Sequence, residues 1–96
     1  MHHSRNILLR EAIGETIHDL RARLNRTLRE VSADAQVSLG YLSEIERGQK
    51  EASSEVLSGI ADALEVSVGH LMSQVADRLL AYESQTIVSL HQRLAA

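Results

Sequence analysis

Apolar side chains recur at intervals of three and four residues along nearly the whole chain, and this spacing constrains the fold more than any other feature. In the first such segment the apolar residues are separated by 4, 4, 3 and 4 positions, at Leu9, Ile13, Ile17, Leu20 and Leu24. That repeat is typical of an amphipathic helix. No segment shows a competing strand pattern, the strict alternation of apolar and polar residues. The sequence therefore predicts an all-α fold.

Short polar residues divide the periodic sequence into helices. Asn25, which tolerates the left-handed conformation, predicts the end of the first helix. Thr27 and Glu30 have the spacing of a capping box and predict the start of the second. Three later helices are expected to begin at serine caps, which are Ser38, Ser53 or Ser54, and Ser67. We therefore expect a five-helix domain followed by a C-terminal helical extension.

Length and composition exclude several classes of protein. The 96 residues suffice for one core but not for a two-domain enzyme. There are no cysteines, which excludes disulfides and thiolate zinc sites, and the five histidines form no His-x3-His pair. No nucleophile elbow or glycine-rich phosphate loop is present. No apolar run approaches the roughly 18 residues of a membrane span. We expect no enzyme, no metal, no cofactor and no membrane association.

Charge is distributed unevenly along the chain. The net charge is −3, which taken alone argues against nucleic acid. Residues 5–29, however, hold six arginines against three carboxylates, a net +3, whereas residues 51–96 hold two arginines against six carboxylates, a net −4. Such asymmetry can orient a protein on a polyanion, although an unevenly charged solvated surface is an equally good interpretation. With only two aromatic residues, stacking on single-stranded bases is disfavoured.

The segment from Thr27 to Gly48 has the spacing of a helix-turn-helix, with two short helices joined by about three residues. It reads TLREVSADAQVSLGYLSEIERG. This resembles the lambda-repressor-like (Cro/CI or XRE-type) helix-turn-helix family, whose pattern is T-x-x-x-L-A-x-x-x-G-V-S-x-x-x-[IL]-S-x-[IL]-E-R-G, and the resemblance extends over about residues 9–73. The phrase from Ser38 to Ser54 is more narrowly similar to the Clp-protease gene regulators of actinobacteria.

The resemblance implies a cytoplasmic, nucleoid-associated transcription regulator that binds double-stranded DNA. It implies a DNA-binding domain over residues 7–73, with the helix-turn-helix at about 27–48, and a dimerisation extension over residues 74–96. A two-fold homodimer would read operator half-sites roughly 34 Å apart. The narrower resemblance implies an activator of protease or stress genes. Two alternatives stay open at this point: an antitoxin or phage-type repressor with a protein partner, and a helical interaction module without DNA binding.

The resemblance also assigns residues to the DNA. The base-reading positions on the third helix are Leu39, Gly40, Ser43 and Glu44. Leu39 would touch a thymine methyl and Glu44 would accept from a cytosine amino group. Leu39 could instead complete the core, and Glu44 could be a solvated carboxylate that phosphate repels. The positions expected at phosphate are Arg26, Arg29, Ser38, Tyr41, Arg47, Gln49 and Lys50. Arg21 and Glu46 match a partly buried pair that fixes the reading helix.

The chain departs from the family pattern at several positions. Gln36 stands where the family has its turn glycine, and a glutamine in the left-handed region costs roughly 1 kcal/mol. Ser32 replaces a small alanine and Ala52 replaces a proline. Leu39 and Gly40 occupy positions where many relatives carry polar base readers.

An apolar stripe continues into the C-terminal extension. It predicts a dimer interface formed by Leu71, Val75, Leu79, Tyr82, Ile87, Leu90 and Leu94. An apolar face on a tail of about 20 residues would remain exposed to solvent unless it packed against another chain. The alternative is a tail folded back on its own domain. The polar run Glu83-Ser84-Gln85 leaves open whether the extension is one helix or two.

Overall fold

The protein folds as a set of packed helices. The computed structural model describes residues 7–95, and of residues 86–91 it describes the backbone alone. This range holds five helices and no strand. They are α1 (Leu9–Arg23), α2 (Leu28–Ala35), α3 (Leu39–Glu46), α4 (Ser54–Ala63) and α5 (Val68–Ala95). The all-α prediction is confirmed.

Hydroxyl caps start four of the five helices. At α2 the Thr27 hydroxyl accepts from the Glu30 amide at 3.0 Å, and the Glu30 carboxylate accepts from the Thr27 amide at 2.9 Å. The capping box is thus confirmed, and it satisfies two amides that a helix start leaves unpaired. The serine caps of α3, α4 and α5 are Ser38, Ser53 and Ser67.

Left-handed residues end the first, second and fourth helices. Asn25 and Gln36 have φ values of 55° and 58°, and Glu65 has 61°. Gln36 therefore adopts the turn conformation that the family gives to glycine, at a cost of roughly 1 kcal/mol. The following Val37 amide donates to the Ser32 carbonyl at 3.0 Å, which closes the end of α2. The tight turn between α2 and α3 is retained without glycine.

The core lies where α1 packs on α3 and α5, and where α2 packs on α3 and α4. Its largest buried side chains are Ile17, Leu42, Ile45, Ile60, Leu64, Leu71, Val31 and Thr16. The stripe predicted on α1 is confirmed at Ile17 and Leu20, which are buried, and Ile13 packs against the core. It is wrong at Leu9 and Leu24, which are 56% and 41% exposed.

Gly14 lets α1 approach the end of α3 closely. A Cβ atom at this position would lie 2.3 Å from the Ile45 carbonyl oxygen and 2.7 Å from that of Glu46. Both distances are shorter than a carbon and an oxygen can tolerate, so a side chain here would force the helices apart. Glycine inside a helix costs about 1 kcal/mol relative to alanine. The close crossing compensates for that cost.

The fifth helix is continuous from Val68 to Ala95. It runs through residues 83–85 without a break and across the boundary predicted after residue 73. Leu71 and Val75 are buried in the core of their own chain, with exposed fractions of 0% and 2%. Their assignment to a dimer interface is therefore wrong, because neither has surface left to offer a second chain. Within the described residues, no helix is both long and apolar enough to cross a membrane.

Candidate nucleic-acid interface

Helix α3 is seated on the domain by one face and exposes the other. Leu42 and Ile45 point inward and are buried. Leu39 is 36% exposed and lies outside the core cluster. The alternative interpretation of Leu39 as a core residue is thus excluded.

The four predicted base readers lie on the outward side of α3, at positions i, i+1, i+4 and i+5 of one helix. A Cβ atom at Gly40 would meet no heavy atom of the described residues within 4 Å, so close packing against them does not require a glycine here. The Glu44 carboxylate is half-exposed and has no side-chain partner in the described part of the chain. The Ser43 hydroxyl accepts from Arg47 Nη1 at 2.6 Å. The structure brings these four residues together on one face.

Arg47 lies at the end of this face, and among the described residues it contacts only neutral groups. Besides Ser43, its guanidinium donates to Gln49 Oε1 at 3.3 Å, and the side chain is exposed. A guanidinium has five N–H donors, so most of them stay available. Lys50 follows on the same loop and is exposed. Arg29 is exposed in the first turn of α2, and within the described residues its side chain has no partner.

The structure contradicts the assignment of Arg26 to phosphate. Its Nη1 donates to the Ala63 carbonyl oxygen at 2.8 Å, and its Nη2 lies 2.6 Å from Asp34 Oδ2. The hydrogen bond with Asp34 raises the pKa of the guanidinium, although partial burial opposes this rise. Arg26 therefore closes the C-terminal end of α4 and ties it to α2, a role within the fold.

The structure also contradicts the assignment of Tyr41 as a donor to phosphate. Its hydroxyl donates to the Glu51 carbonyl oxygen at 2.9 Å, and its ring packs against the core. A phosphate offers acceptors, and tyrosine has a single O–H donor, which is already used. From the other side Arg10 Nε donates to the Gly48 carbonyl oxygen at 3.2 Å. Tyr41 and Arg10 thus hold the loop that carries Gln49 and Lys50.

The predicted pair of Arg21 and Glu46 is confirmed. Arg21 Nε lies 2.7 Å from Glu46 Oε2, and Nη2 lies 3.0 Å from Oε1, a bidentate geometry. The two side chains are 16% and 7% exposed. The hydrogen bond with Glu46 raises the pKa of Arg21 against the opposing effect of burial. A third nitrogen donates to the Arg26 carbonyl oxygen at 2.9 Å. This pair fixes the end of α3 to α1.

Sequence reasoning missed a second polar contact, between α5 and α1. Arg78 reaches Glu15 Oε1 at 3.2 Å and Thr16 Oγ1 at 3.3 Å, and it pairs with Asp19. Burial lowers the pKa of Arg78, but the bonds with Asp19 and Glu15 outweigh it and leave the pKa raised. The only available signal was the pair of carboxylates four residues apart on α1, a spacing that places both on one face.

The other residues predicted for the dimer interface differ in how much of each is exposed in the monomer. The Tyr82 hydroxyl lies 3.3 Å from Glu15 Oε1 of its own chain, so this side chain contacts α1 as well as lying on the predicted interface stripe. Leu79 is half-buried, whereas Leu94 is 78% exposed. Ile87 and Leu90 lie outside the residues whose side chains are described.

Comparison with known proteins agrees with this geometry. The model of the helix-turn-helix family HTH_3 matches residues 17–71. The chain belongs to the helix-turn-helix family. The transcriptional regulator ClgR of Mycobacterium tuberculosis is 49% identical over 76 residues, which cover 79% of this chain and 68% of that protein.

Solved structures extend the similarity of this helix-turn-helix protein. The clp gene regulator ClgR from Corynebacterium glutamicum is 37% identical with a TM-score of 0.85, over 95% of this chain and 97% of that chain. A restriction-modification controller protein in complex with its operator is 22% identical with a TM-score of 0.72, over 77% and 97% of the two chains, and this likeness concerns the fold alone. The chain is a DNA-binding transcriptional regulator and not an enzyme.

Proposed function

We propose that this regulator binds a two-fold operator as a homodimer and inserts α3 of each protomer into the major groove. One observation carries the proposal. The outward face of α3 presents Leu39, Gly40 and Glu44 without a partner in the described part of the chain, and cationic side chains flank it. The major groove of B-DNA is wide enough to admit a helix and displays a distinct pattern for each base pair.

The exposed face suits a mixed apolar and polar readout. Leu39 offers methyl groups to the methyl group of thymine, and Glu44 offers an acceptor to the amino group of cytosine. The open space at Gly40 lets the backbone of α3 approach the base edges. Ser43 contributes a hydroxyl once Arg47 turns toward the DNA. A carboxylate among the readers favours a half-site that contains a G·C pair.

The phosphate grip consists of residues on both sides of this face. They are Arg29, Ser38, Arg47, Gln49 and Lys50. Within the described part of the chain Arg47 bonds only neutral oxygens, so turning toward a phosphate breaks no ion pair there. Arg21 and Arg26 differ, because each would leave a carboxylate behind. This difference supports placing Arg47, rather than those two, at the DNA backbone.

The regulated genes are proposed from the relatives. The solved relative with a TM-score of 0.85 is described as a clp gene regulator. We propose that this chain likewise acts on clp genes, as an activator. The homodimer is proposed to form through the part of α5 beyond Gln85, where Leu94 is 78% exposed.

Selection of bound sequences from random DNA tests the proposal directly. We expect an inverted repeat with half-site centres about 34 Å apart, bound with an affinity that falls steeply as salt rises. A mobility shift on the fragments upstream of clp genes then identifies the target. No enrichment at low salt would favour an interaction module without DNA binding, and a single unrepeated half-site would contradict the dimer. Transcription in vitro that falls on adding the protein would identify a repressor.

A further inference from the structure

We propose that Arg78 is a positioning residue that determines which spacing between two operator half-sites the dimer accepts. This inference rests on the dimeric function proposed above. Arg78 lies on α5 and is not assigned to the DNA. It acts through the direction that α5 takes relative to the reading helix.

The contacts of Arg78 fasten α5 to one full turn of α1. Its guanidinium bonds the Glu15 carboxylate at 3.2 Å and the Thr16 hydroxyl at 3.3 Å, and it pairs with Asp19 four residues further along. The side chain is 29% exposed, so solvent only partly screens these bonds. A planar guanidinium with three acceptors on one helix restrains both position and angle.

Helix α1 transmits this restraint to the reading helix. At Gly14 it touches the backbone of α3, where the Ile45 carbonyl oxygen leaves no room for a Cβ atom. The bidentate pair of Arg21 and Glu46 fixes the same end of α3. Because α5, α1 and α3 are joined by these contacts, the angle between α5 and α3 depends on the grip of Arg78.

The length of α5 makes this angle consequential. Leu71 and Val75, about 6 Å apart, anchor the start of the helix, and beyond Arg78 the Tyr82 hydroxyl adds one contact, 3.3 Å from Glu15 Oε1. From Arg78 the helix continues for another 17 residues to Ala95, about 26 Å. Beyond Tyr82 every described side chain is exposed, at residues 83–85 and 92–95.

A small change in this angle moves the far end of α5 by a distance equal to the rise of one base pair. A tilt of about 8° at Arg78 moves the far end of α5 by about 3.5 Å over that length. The rise of B-DNA is about 3.4 Å per base pair. If the two protomers meet through this arm, a loosened α5 lets the two reading helices reach half-sites that differ by one base pair. A rigid α5 selects a single spacing.

The test compares the wild-type protein with Arg78→Met, which keeps the apolar stem and removes every donor. Both are offered a DNA library that holds two inverted copies of the selected half-site, with spacers that vary by single base pairs. We expect wild type to favour one spacing about tenfold over its neighbours and Arg78→Met to favour it by about twofold or less. Affinity for DNA with one half-site should change by less than about twofold.

Matched variants separate positioning from general damage. Arg23→Met removes an exposed arginine of α1 that has no partner among the described residues, and it should keep the wild-type profile. Asp19→Asn keeps an acceptor at the same place and is the substitute variant if Arg78→Met does not fold. Its preference for one spacing should be intermediate between those of wild type and Arg78→Met. An unchanged profile in a folded, dimeric Arg78→Met or Asp19→Asn protein overturns the inference, as does a folded Arg78→Met protein that is monomeric in sedimentation. A wild-type dimer that prefers no spacing also overturns the inference, whereas a wild-type protein that gains no affinity from a second half-site refutes the dimeric function itself.

Discussion

At the residue scale, the basic side chains separate into those used inside the fold and those left for DNA. Arg21, Arg26 and Arg78 each pair with carboxylates, mostly from a distant part of the sequence. Arg47 contacts neutral groups among the residues described, and Lys50 is exposed. The net +3 of residues 5–29 thus overstates the charge that can face a polyanion. Sequence reasoning could not foresee this for Arg26, because its partner Ala63 lies 37 residues away and is a backbone carbonyl.

We expect the pair of Arg21 and Glu46 to contribute strongly to the stability of the fold. Arg21→Met should lower the free energy of unfolding by about 3 kcal/mol, since it leaves a nearly buried carboxylate without its main partner. The double variant Arg21→Met/Glu46→Met should recover a large part of that loss, because no unpaired charge then remains. Urea unfolding of the two variants and wild type measures this, and strictly additive losses would contradict it.

Arg47→Ala and Lys50→Ala should weaken binding to all DNA sequences alike. Each removes one phosphate contact, so the slope of log K against log salt should fall by about one unit. Binding titrations at several salt concentrations, with operator and scrambled DNA, give both quantities. Arg23→Ala, which removes an exposed charge outside the proposed grip, is the control. A changed base preference at one operator position would mean that the altered residue reads a base instead.

Glu44→Gln should relax discrimination at one base pair of each half-site. A glutamine keeps the size of the side chain but replaces one acceptor oxygen with a donor, so the penalty against the wrong base should fall by about 1–3 kcal/mol. Affinities for operators with each substitution at that pair provide the measurement. An equal gain for every sequence would show that Glu44 merely repels phosphate.

At the scale of the elements, helix boundaries were predictable because their causes are local. Thr27, Ser38 and Ser67 lie three residues before the amides that they cap, and the sequence shows that spacing directly. The exposure of Leu9 and Leu24 was not predictable from periodicity, since it depends on how far the neighbouring helices extend. Gly14 was equally hidden, because only the crossing of α1 and α3 explains it.

Replacing either of two helical glycines with alanine should change the free energy of unfolding, but in opposite directions. Gly14→Ala places a methyl group 2.3 Å from a carbonyl oxygen, and we expect a loss of at least about 2 kcal/mol in the free energy of unfolding. Gly40→Ala meets open space and gains helix propensity, so stability should rise by about 0.5–1 kcal/mol. Thermal or urea unfolding of the two variants and the wild type measures both changes in stability. An unchanged stability of Gly14→Ala would contradict the close crossing.

At the scale of the whole molecule, α5 has two parts: its first turns pack on the domain, and its later turns extend beyond it. Its first turns complete the core through Leu71 and Val75, and Arg78 continues the contact with α1. Its later turns extend the same helix beyond that contact. The stripe at helical spacing could not show where one role gives way to the other, because a core face and an interface face have the same period. The predicted boundary after residue 73 therefore falls within the part of α5 that packs on the domain.

The position at which the chain is cut should separate folding from dimerisation. Ending it after Ser73 removes Val75, Arg78 and Tyr82, so we expect a loss of several kcal/mol and a largely unfolded product, since Val75 is buried and Arg78 bonds α1. Ending it after Gln85 keeps all of these contacts. That product should unfold at nearly the temperature of the full chain, apart from the stability that dimerisation adds.

Sedimentation at micromolar concentration gives the mass of both forms, and circular dichroism shows that each is helical. The full chain should be a dimer and the chain ending at Gln85 a folded monomer, whose affinity for DNA with one half-site matches that of the full chain. Its advantage on DNA with two half-sites should disappear, because two monomers bind independently, whereas a dimer binds the second half-site at a high effective concentration. A dimer that persists after this cut would place the interface within residues 1–85, with the exposed Leu80 as its first candidate.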